Sequence, residues 1–346
     1  MHEIAEFRSD KCARPTPEMI EAMTSVAWGD GQEEEGPTVR ELEGLAARLT
    51  GKEAALFAAT GTLANQLAIM THTHPGEEII VDEDSHIFWT EGGAPALLAG
   101  VQTCSLKAAR GRMDLDQIAE VFARGHKGAR ATLVCTENTH NMQGGRVVPL
   151  DYLRAVRALA SKNGATVHMD GARITNASVK SGVSVADYAA TADSVMFCLS
   201  KGLCAPVGSM LCGDADFIAR ARTFRERIGG FLKQPAPLAR CGIIALTTMM
   251  DRLAEDHDNA ARLEKGLRAI PGIDRVLDIE QADTNMVFMT LKQDDADAFL
   301  ARLAHERVYA YRIVGGRMRF VTHNDIDADD VDRTVGLFKK LLLGKN

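Results

Sequence analysis

The apolar run Ser194-Val195-Met196-Phe197-Cys198-Leu199 closes on Ser200-Lys201-Gly202, and the run Ala165-Thr166-Val167-His168-Met169 closes on Asp170-Gly171-Ala172-Arg173. A lysine and an aspartate at successive strand ends suggest pyridoxal phosphate chemistry. The lysine amine would hold the cofactor aldehyde as a Schiff base, and the carboxylate would keep the pyridine nitrogen protonated so that the ring accepts electrons. Each residue also has a plainer reading, because strand-end lysines are often solvated and strand-end aspartates often cap the next helix.

Other segments could complete such a site. Thr60-Gly61-Thr62 follows the run Ala55 to Ala59 and opens a helix over Leu63 to Met70. Backbone amides at a helix start, with no side chain on Gly61, suit a phosphate dianion; a threonine N-cap beside a turn glycine is the alternative. His86 follows the run Ile79 to Asp82, where ligands sit in open α/β sheets, and its ring could lie flat on a pyridine or serve as a structural hydrogen-bonding group. His168 shares a strand face with Asp170 and reads as its supporting partner. Arg173 is placed to reach a cofactor or a substrate carboxylate, and Arg319 could grip that carboxylate or form a surface ion pair. The tract Thr71-His72-Thr73-His74 has no acidic or cysteine ligand near it and is not read as a zinc site.

These residues need a scaffold. Strand patterns fall at Ala54 to Ala58, Glu78 to Val81, Val101 to Leu106, Ala131 to Glu137, Ala165 to Asp170, Ser194 to Leu199 and Val207 to Cys212. Amphipathic segments such as Asp114 to Phe122 and Leu150 to Ser161 alternate with them, which predicts a mostly parallel seven-stranded sheet with helices on both faces. Beyond residue 213 come helical patterns over Phe217 to Ile228 and, as one long helix, Leu238 to about Leu267. The tail alternates strand (Asn285 to Leu291), helix (Asp294 to Arg307), strand (Arg317 to Thr322) and helix (Asp327 to Leu343), a small α+β unit. The expected division is a large domain over 1–250, including an N-terminal arm, and a small domain over 251–346.

Composition narrows the classes. With 46% hydrophobic and 25% charged residues the 346-residue chain is ordinarily globular, and a net charge of -7 with no basic stripe argues against nucleic-acid binding. The start Met1-His2-Glu3-Ile4 lacks the character of a signal peptide and no apolar stretch reaches membrane-spanning length, so a soluble cytoplasmic protein is expected. Seven cysteines, never spaced Cys-x-x-Cys, read as reduced thiols.

Arg8-Ser9-Asp10, Pro37-Thr38, Lys52 to Phe57, Ser85-His86-Ile87-Phe88-Trp89, Glu137-Asn138-Thr139-His140-Asn141, Gly145 to Leu150, Asp170-Gly171-Ala172-Arg173, Cys198 to Leu203, Ala205 to Ser209, Thr284 to Val287 and Arg319 to His323 occur in order along the chain. Together they closely resemble the low-specificity L-threonine aldolases, which are fold-type I, aspartate-aminotransferase-like pyridoxal phosphate enzymes. The resemblance implies Lys201 for the Schiff base, Asp170 for the pyridine nitrogen and His86 stacked on the ring. It implies Gly61 and Thr62 at the phosphate, and Ser9, Arg173 and Arg319 around the amino-acid carboxylate. His126 is matched to a second histidine that positions or activates the substrate hydroxyl. A homotetramer of two dimers, with active sites at the subunit interface, is implied as well.

The chain departs from the family pattern in four places. Gly29-Asp30-Gly31-Gln32-Glu33-Glu34-Glu35-Gly36-Pro37 lacks a tyrosine that usually borders the site. Gly229-Gly230-Phe231-Leu232-Lys233-Gln234 has Lys233 where an arginine is usual, keeping a charge for the phosphate without the guanidinium fork. Thr90 replaces a common tyrosine. Lys11 stands near where relatives can hold a cation, so no structural metal is expected. The activity implied is cleavage of L-threonine or L-allo-threonine to glycine and an aldehyde, with His86 or His126 as base. Two alternatives are a pyridoxal phosphate lyase that releases ammonia and a keto acid, and a homologue that binds the cofactor without catalysis.

Overall fold

A computed structural model of the chain describes residues 4–26, 36–124, 128–293 and 295–344. They form two units, divided between Met250 and Asp251, and Pro15–Met250 make up the larger one. Its centre is a seven-stranded sheet of β1 (Ala54–Ala58), β2 (Glu78–Asp82), β3 (Gln102–Leu106), β4 (Ala131–Glu137), β5 (Thr166–Asp170), β6 (Ser194–Cys198) and β7 (Ser209–Gly213). The spatial order is β1-β7-β6-β5-β4-β2-β3. Only β7 runs antiparallel to its neighbours; the other pairings are parallel. Every residue of β2, β6 and β7 is buried, as expected of strands covered on both faces, and this is why the sequence reads there as apolar runs rather than as alternation. The mostly parallel α/β sheet expected from the sequence is the sheet observed.

Register carries the chemistry to one edge. Glu137 lies opposite Asp170, and Asp170 opposite Met196, so the last residues of β4 and β5 stand abreast at their carboxyl ends. The helix Gly61–His72 follows β1, capped by Thr60, whose Oγ1 accepts from Leu63 N at 3.1 Å. Its buried positions include the polar pair Asn65 and Gln66 inside an otherwise apolar run.

The smaller unit joins residues 251–344 to residues 4–14. Strands Leu277–Ile279, Met286–Leu291, Met318–Val321 and Tyr311–Arg312 form an antiparallel sheet in that order, accompanied by helices Leu253–Arg268, Ala296–His305 and Ala328–Leu343. The N-terminal arm, which the sequence reading placed with the large domain, groups here instead. Ala5–Glu6 pairs in parallel with Val308–Tyr309, and Phe7 is fully buried with its ring 5.6 Å from that of Phe320. Burying such a ring stabilises by about 1.5–3 kcal/mol, which adds to the backbone pairing that holds the arm.

The single helix expected from Leu238 to about Leu267 is two helices. Ala236–Thr248 ends in a turn through Met249 to Arg252, and Leu253–Arg268 begins after it. No proline or glycine marks the break. Each half keeps its own apolar stripe in its own unit, and the two stripes read along the sequence as one.

Candidate active site

At the end of β5 the chain must pass hard against β6. Gly171 N donates to Met196 O at 2.8 Å, and a Cβ on Gly171 would stand 2.7 Å from that same oxygen, so only glycine fits. The turn directs the buried Asp170 carboxylate at two donors. Asn65 Nδ2 reaches Oδ2 at 2.8 Å and Ala172 N reaches Oδ1 at 3.0 Å. Burial opposes ionisation of Asp170, but His86, Lys201 and the two donors outweigh it and hold the carboxyl below its usual range. Lys201 is half-buried just beyond β6, in a turn closed by Cys204 N donating to Lys201 O at 2.8 Å. The charge of Lys201 thus favours the ionised form of the aspartate that the sequence singles out with it.

His86 opens the short helix His86–Trp89 and donates its backbone N–H to Glu137 Oε2 at 2.7 Å. Its Nδ1 lies 2.8 Å from Oε1 of the buried Glu91, while about a third of the ring (31%) stays exposed. Burial alone would lower the His86 pKa; the bond to Glu91 and the charges of Asp170, Glu91 and Glu137 overcome this and raise it. Glu91 also accepts from Asn65 Nδ2 at 2.8 Å and from Gln66 Nε2 at 2.6 Å. The ligating atoms of His86, Glu91 and Asp170 lie within 4.8 Å of one another. One imidazole and two carboxylates could ligate a cation, but here Asn65 and His86 turn their positive ends toward the carboxylates.

At the start of Gly61–His72, a Cβ on Gly61 would sit 3.0 Å from Met196 Cε and 3.1 Å from Cys198 Sγ. The glycine therefore packs on the strand that leads to Lys201. Thr60 fills the N-cap role, and the N–H groups of Gly61 and Thr62 have no intrahelical partner, as at any helix start. Arg173 is buried, with Nη1 3.5 Å from Asn141 Oδ1. A buried carboxylate held ionised, a strand-end lysine, an imidazole and a helix start form a donor set that fits pyridoxal phosphate.

The remaining sequence candidates are Lys233, Ser9, Arg319 and His126. Lys233 is exposed, its Nζ 5.0 Å from the centroid of the Phe231 ring. In the smaller unit, Ser9 is buried and its Oγ accepts from Lys11 N at 3.3 Å. Arg319 there lies on Met318–Val321 and donates from Nη2 to Arg8 O at 3.2 Å. His126 and the segment 27–35, which holds most of the altered loop, lie outside the described residues.

Two histidines prove structural. His168 is wholly buried between Asn65 Oδ1 (3.0 Å from Nε2) and Ser194 Oγ (2.8 Å from Nδ1), which fits the supporting role expected of it. His72 Nε2 lies 2.8 Å from the same hydroxyl, and its ring lies against Phe217 at 4.5 Å. Sequence reasoning missed Asn65, Gln66 and Glu91. Adjacent Asn and Gln within an apolar helical run signalled the first two; nothing local distinguishes Glu91.

Comparison with known proteins gives the family. The β-eliminating lyase family matches residues 6–294. Low-specificity L-threonine aldolase 1 of Arabidopsis thaliana is 37% identical over 347 aligned residues, covering 98% of this chain and 96% of that protein. The low specificity L-threonine aldolase of Escherichia coli K12 is 37% identical over 341 residues, covering 97% and 99%. Among solved structures, Leishmania major threonine aldolase superposes with a TM-score of 0.83 at 21% identity, covering 98% of this chain and 99% of that one. A putative aromatic amino acid β-eliminating lyase/threonine aldolase from Exiguobacterium gives 0.80 at 20% identity, covering 97% and 96%. These likenesses show the fold-type I architecture. The chain belongs to the β-eliminating lyase family, among the low-specificity L-threonine aldolases.

Proposed function

We infer that the protein is a pyridoxal phosphate-dependent aldolase that cleaves L-threonine, L-allo-threonine and related β-hydroxy-α-amino acids to glycine and an aldehyde. The observation that carries this reading is the buried Asp170 carboxylate, held ionised beside Lys201 and His86 in a chain 37% identical to an L-threonine aldolase over nearly its whole length. Bound pyridoxal phosphate supplies an aldehyde for an amine and an electron sink for the carbon that gives up its bond. Lys201 is the amine that holds that aldehyde between turnovers. Asp170 keeps a proton on the ring nitrogen, and the amides of Gly61 and Thr62, with Lys233, receive the phosphate. Arg173, Arg319 and Ser9 bind the substrate carboxylate and thereby orient the Cα–Cβ bond. His86 or His126 accepts the β-hydroxyl proton. Because His86 Nδ1 faces Glu91, any proton His86 exchanges with substrate moves at Nε2.

The test is to incubate the protein, supplied with pyridoxal phosphate, with L-threonine and L-allo-threonine separately and quantify acetaldehyde, glycine, ammonia and keto acid. Equimolar acetaldehyde and glycine support the aldolase. Ammonia with a keto acid supports the eliminating lyase instead, the reading favoured by the name of the matching family. No product from either amino acid overturns both.

A homotetramer with active sites at subunit interfaces accords with the apolar surface that follows His86. Phe88, Trp89, Leu97 and Leu98 are all exposed, Leu97 to 82%. A cytoplasmic location accords with seven cysteines of which none is in a disulfide. No helix among the described residues is long and apolar enough to cross a membrane.

A further inference from the structure

Asn65 lies where two buried carboxylates meet. Its Nδ2 stands 2.8 Å from Glu91 Oε1 and 2.8 Å from Asp170 Oδ2, so both amide protons are taken by anions. This arrangement requires the amide to be the right way round, because a flip would present Oδ1 to two carboxylates. What holds the orientation lies on the other side. Asn65 Oδ1 faces His168 Nε2 at 3.0 Å and must accept, so His168 carries its proton on Nε2. A neutral His168 then accepts at Nδ1 from the Ser194 hydroxyl, 2.8 Å away. Ser194 Oγ, having given its proton, accepts from His72 Nε2 at 2.8 Å. With both histidines neutral, each donor and acceptor in this chain has one consistent assignment. Burial supplies that condition, lowering the pKa of His168 to about 4 and that of His72 to about 3.

We propose that Asn65 is a positioning residue, locked by the His168–Ser194–His72 chain, that directs Asp170 toward the cofactor nitrogen and Glu91 toward His86. The proposal rests on the aldolase reading for the cofactor's identity, whereas the hydrogen-bond geometry stands without it. Its physical basis is that two carboxylates share one low-dielectric pocket, where each needs a donor that costs no reorganisation when charge develops nearby. An amide with a fixed orientation provides both donors at once. It also makes the two groups that would face the ring, Asp170 and His86, depend on one side chain.

The experiment compares wild type with Asn65→Leu, a near-isosteric replacement without a donor, and with Ser194→Ala, which opens the chain behind His168. Asn65→Leu is expected to weaken pyridoxal phosphate binding by about tenfold or more, the size expected for loss of a hydrogen bond to a charged group, and to lower kcat more than it raises KM. Ser194→Ala should act in the same direction by about two- to fivefold, through a looser Asn65. A merely structural role would lower the melting temperature of the cofactor-free proteins without changing cofactor affinity in the folded fraction; that result overturns the proposal.

Should Asn65→Leu not fold, Ser194→Ala and imidazole nitrogen NMR of the cofactor-free wild type decide. A neutral His168 protonated on Nε2, with weaker cofactor binding in Ser194→Ala, supports the assignment. A His168 protonated on Nδ1 or on both nitrogens, or unchanged binding in Ser194→Ala, overturns it. A wild type that takes up cofactor yet yields no acetaldehyde and glycine overturns the aldolase reading alone, and one that takes up no cofactor overturns both.

Discussion

His86 Nδ1 and Glu91 Oε1, 2.8 Å apart, join a partly exposed imidazole to a fully buried carboxylate side chain. The pairing leaves Nε2 as the only ring nitrogen available to a ligand and makes the charge of the ring depend on a residue five positions away. Glu91 is held in turn by Asn65 and Gln66, so the imidazole is oriented by the interior of the large unit.

Glu91→Gln isolates the charge in this arrangement. A glutamine keeps an oxygen for His86 and Asn65, and its amide can be received by Gln66, whose buried Oε1 has no partner among the described residues and becomes an acceptor when that amide turns over. The His86 pKa, raised in the wild type, should fall in the variant because burial remains while the anion is gone. The sign for stability follows. A histidine with a raised folded-state pKa contributes stability that is complete below its unfolded value of about 6.5 and is lost as pH rises through the folded value. Urea unfolding of the cofactor-free protein should therefore show wild-type stability declining over that interval. Glu91→Gln should flatten the decline and cost about 1–3 kcal/mol at pH 6. NMR titration of His86 checks the pKa directly, and an unchanged midpoint would refute the pairing.

Lys201 and Arg319 should separate chemistry from capture. Lys201→Ala is expected to lower kcat for L-threonine by about a thousandfold or more, because the covalent step loses its amine. Arg319→Ala should raise KM by about 10- to 100-fold, the loss of a charged hydrogen bond, with kcat within severalfold of wild type. Steady-state kinetics on both variants checks this, and normal multiple-turnover activity in Lys201→Ala would show that another lysine holds the cofactor.

The turn after Asp170 should tolerate no side chain. In Gly171→Ala the new Cβ meets a backbone oxygen that cannot move without disturbing β6, so a loss of about 1–3 kcal/mol is expected. Cofactor affinity should fall with it, because Asp170 and Arg173 flank the turn. Gly128→Ala, where a Cβ meets nothing within 4 Å among the described residues, serves as the control and should stay within about 0.5 kcal/mol of wild type. Denaturant midpoints of the two variants give the comparison.

Much of this arrangement was legible along the chain. Ala54–Ala58 and Ala131–Glu137 span the residues that the strand patterns mark, since strands covered on both faces read as largely apolar runs. Asp170 and Lys201 could be picked out because strand ends are where parallel sheets present polar groups. The two helices read as one between Leu238 and Leu267 show the limit of periodicity, which records that a face is buried but not what buries it. The N-terminal arm fails for the same reason, its partners Val308 and Tyr309 lying some 300 positions away.

The sequence by itself determined the sheet, the helix cap at Thr60 and the residue types able to hold the cofactor, because each follows from local pattern and chemistry. Only the tertiary structure decided how they are supported. Asn65 meets Asp170 across 105 positions and Glu91 across 26, and His168 meets Asn65 across 103. A buried carboxylate stays ionised only if donors surround it, and those donors come from whichever elements the fold brings alongside. No rule of spacing along the chain expresses that requirement.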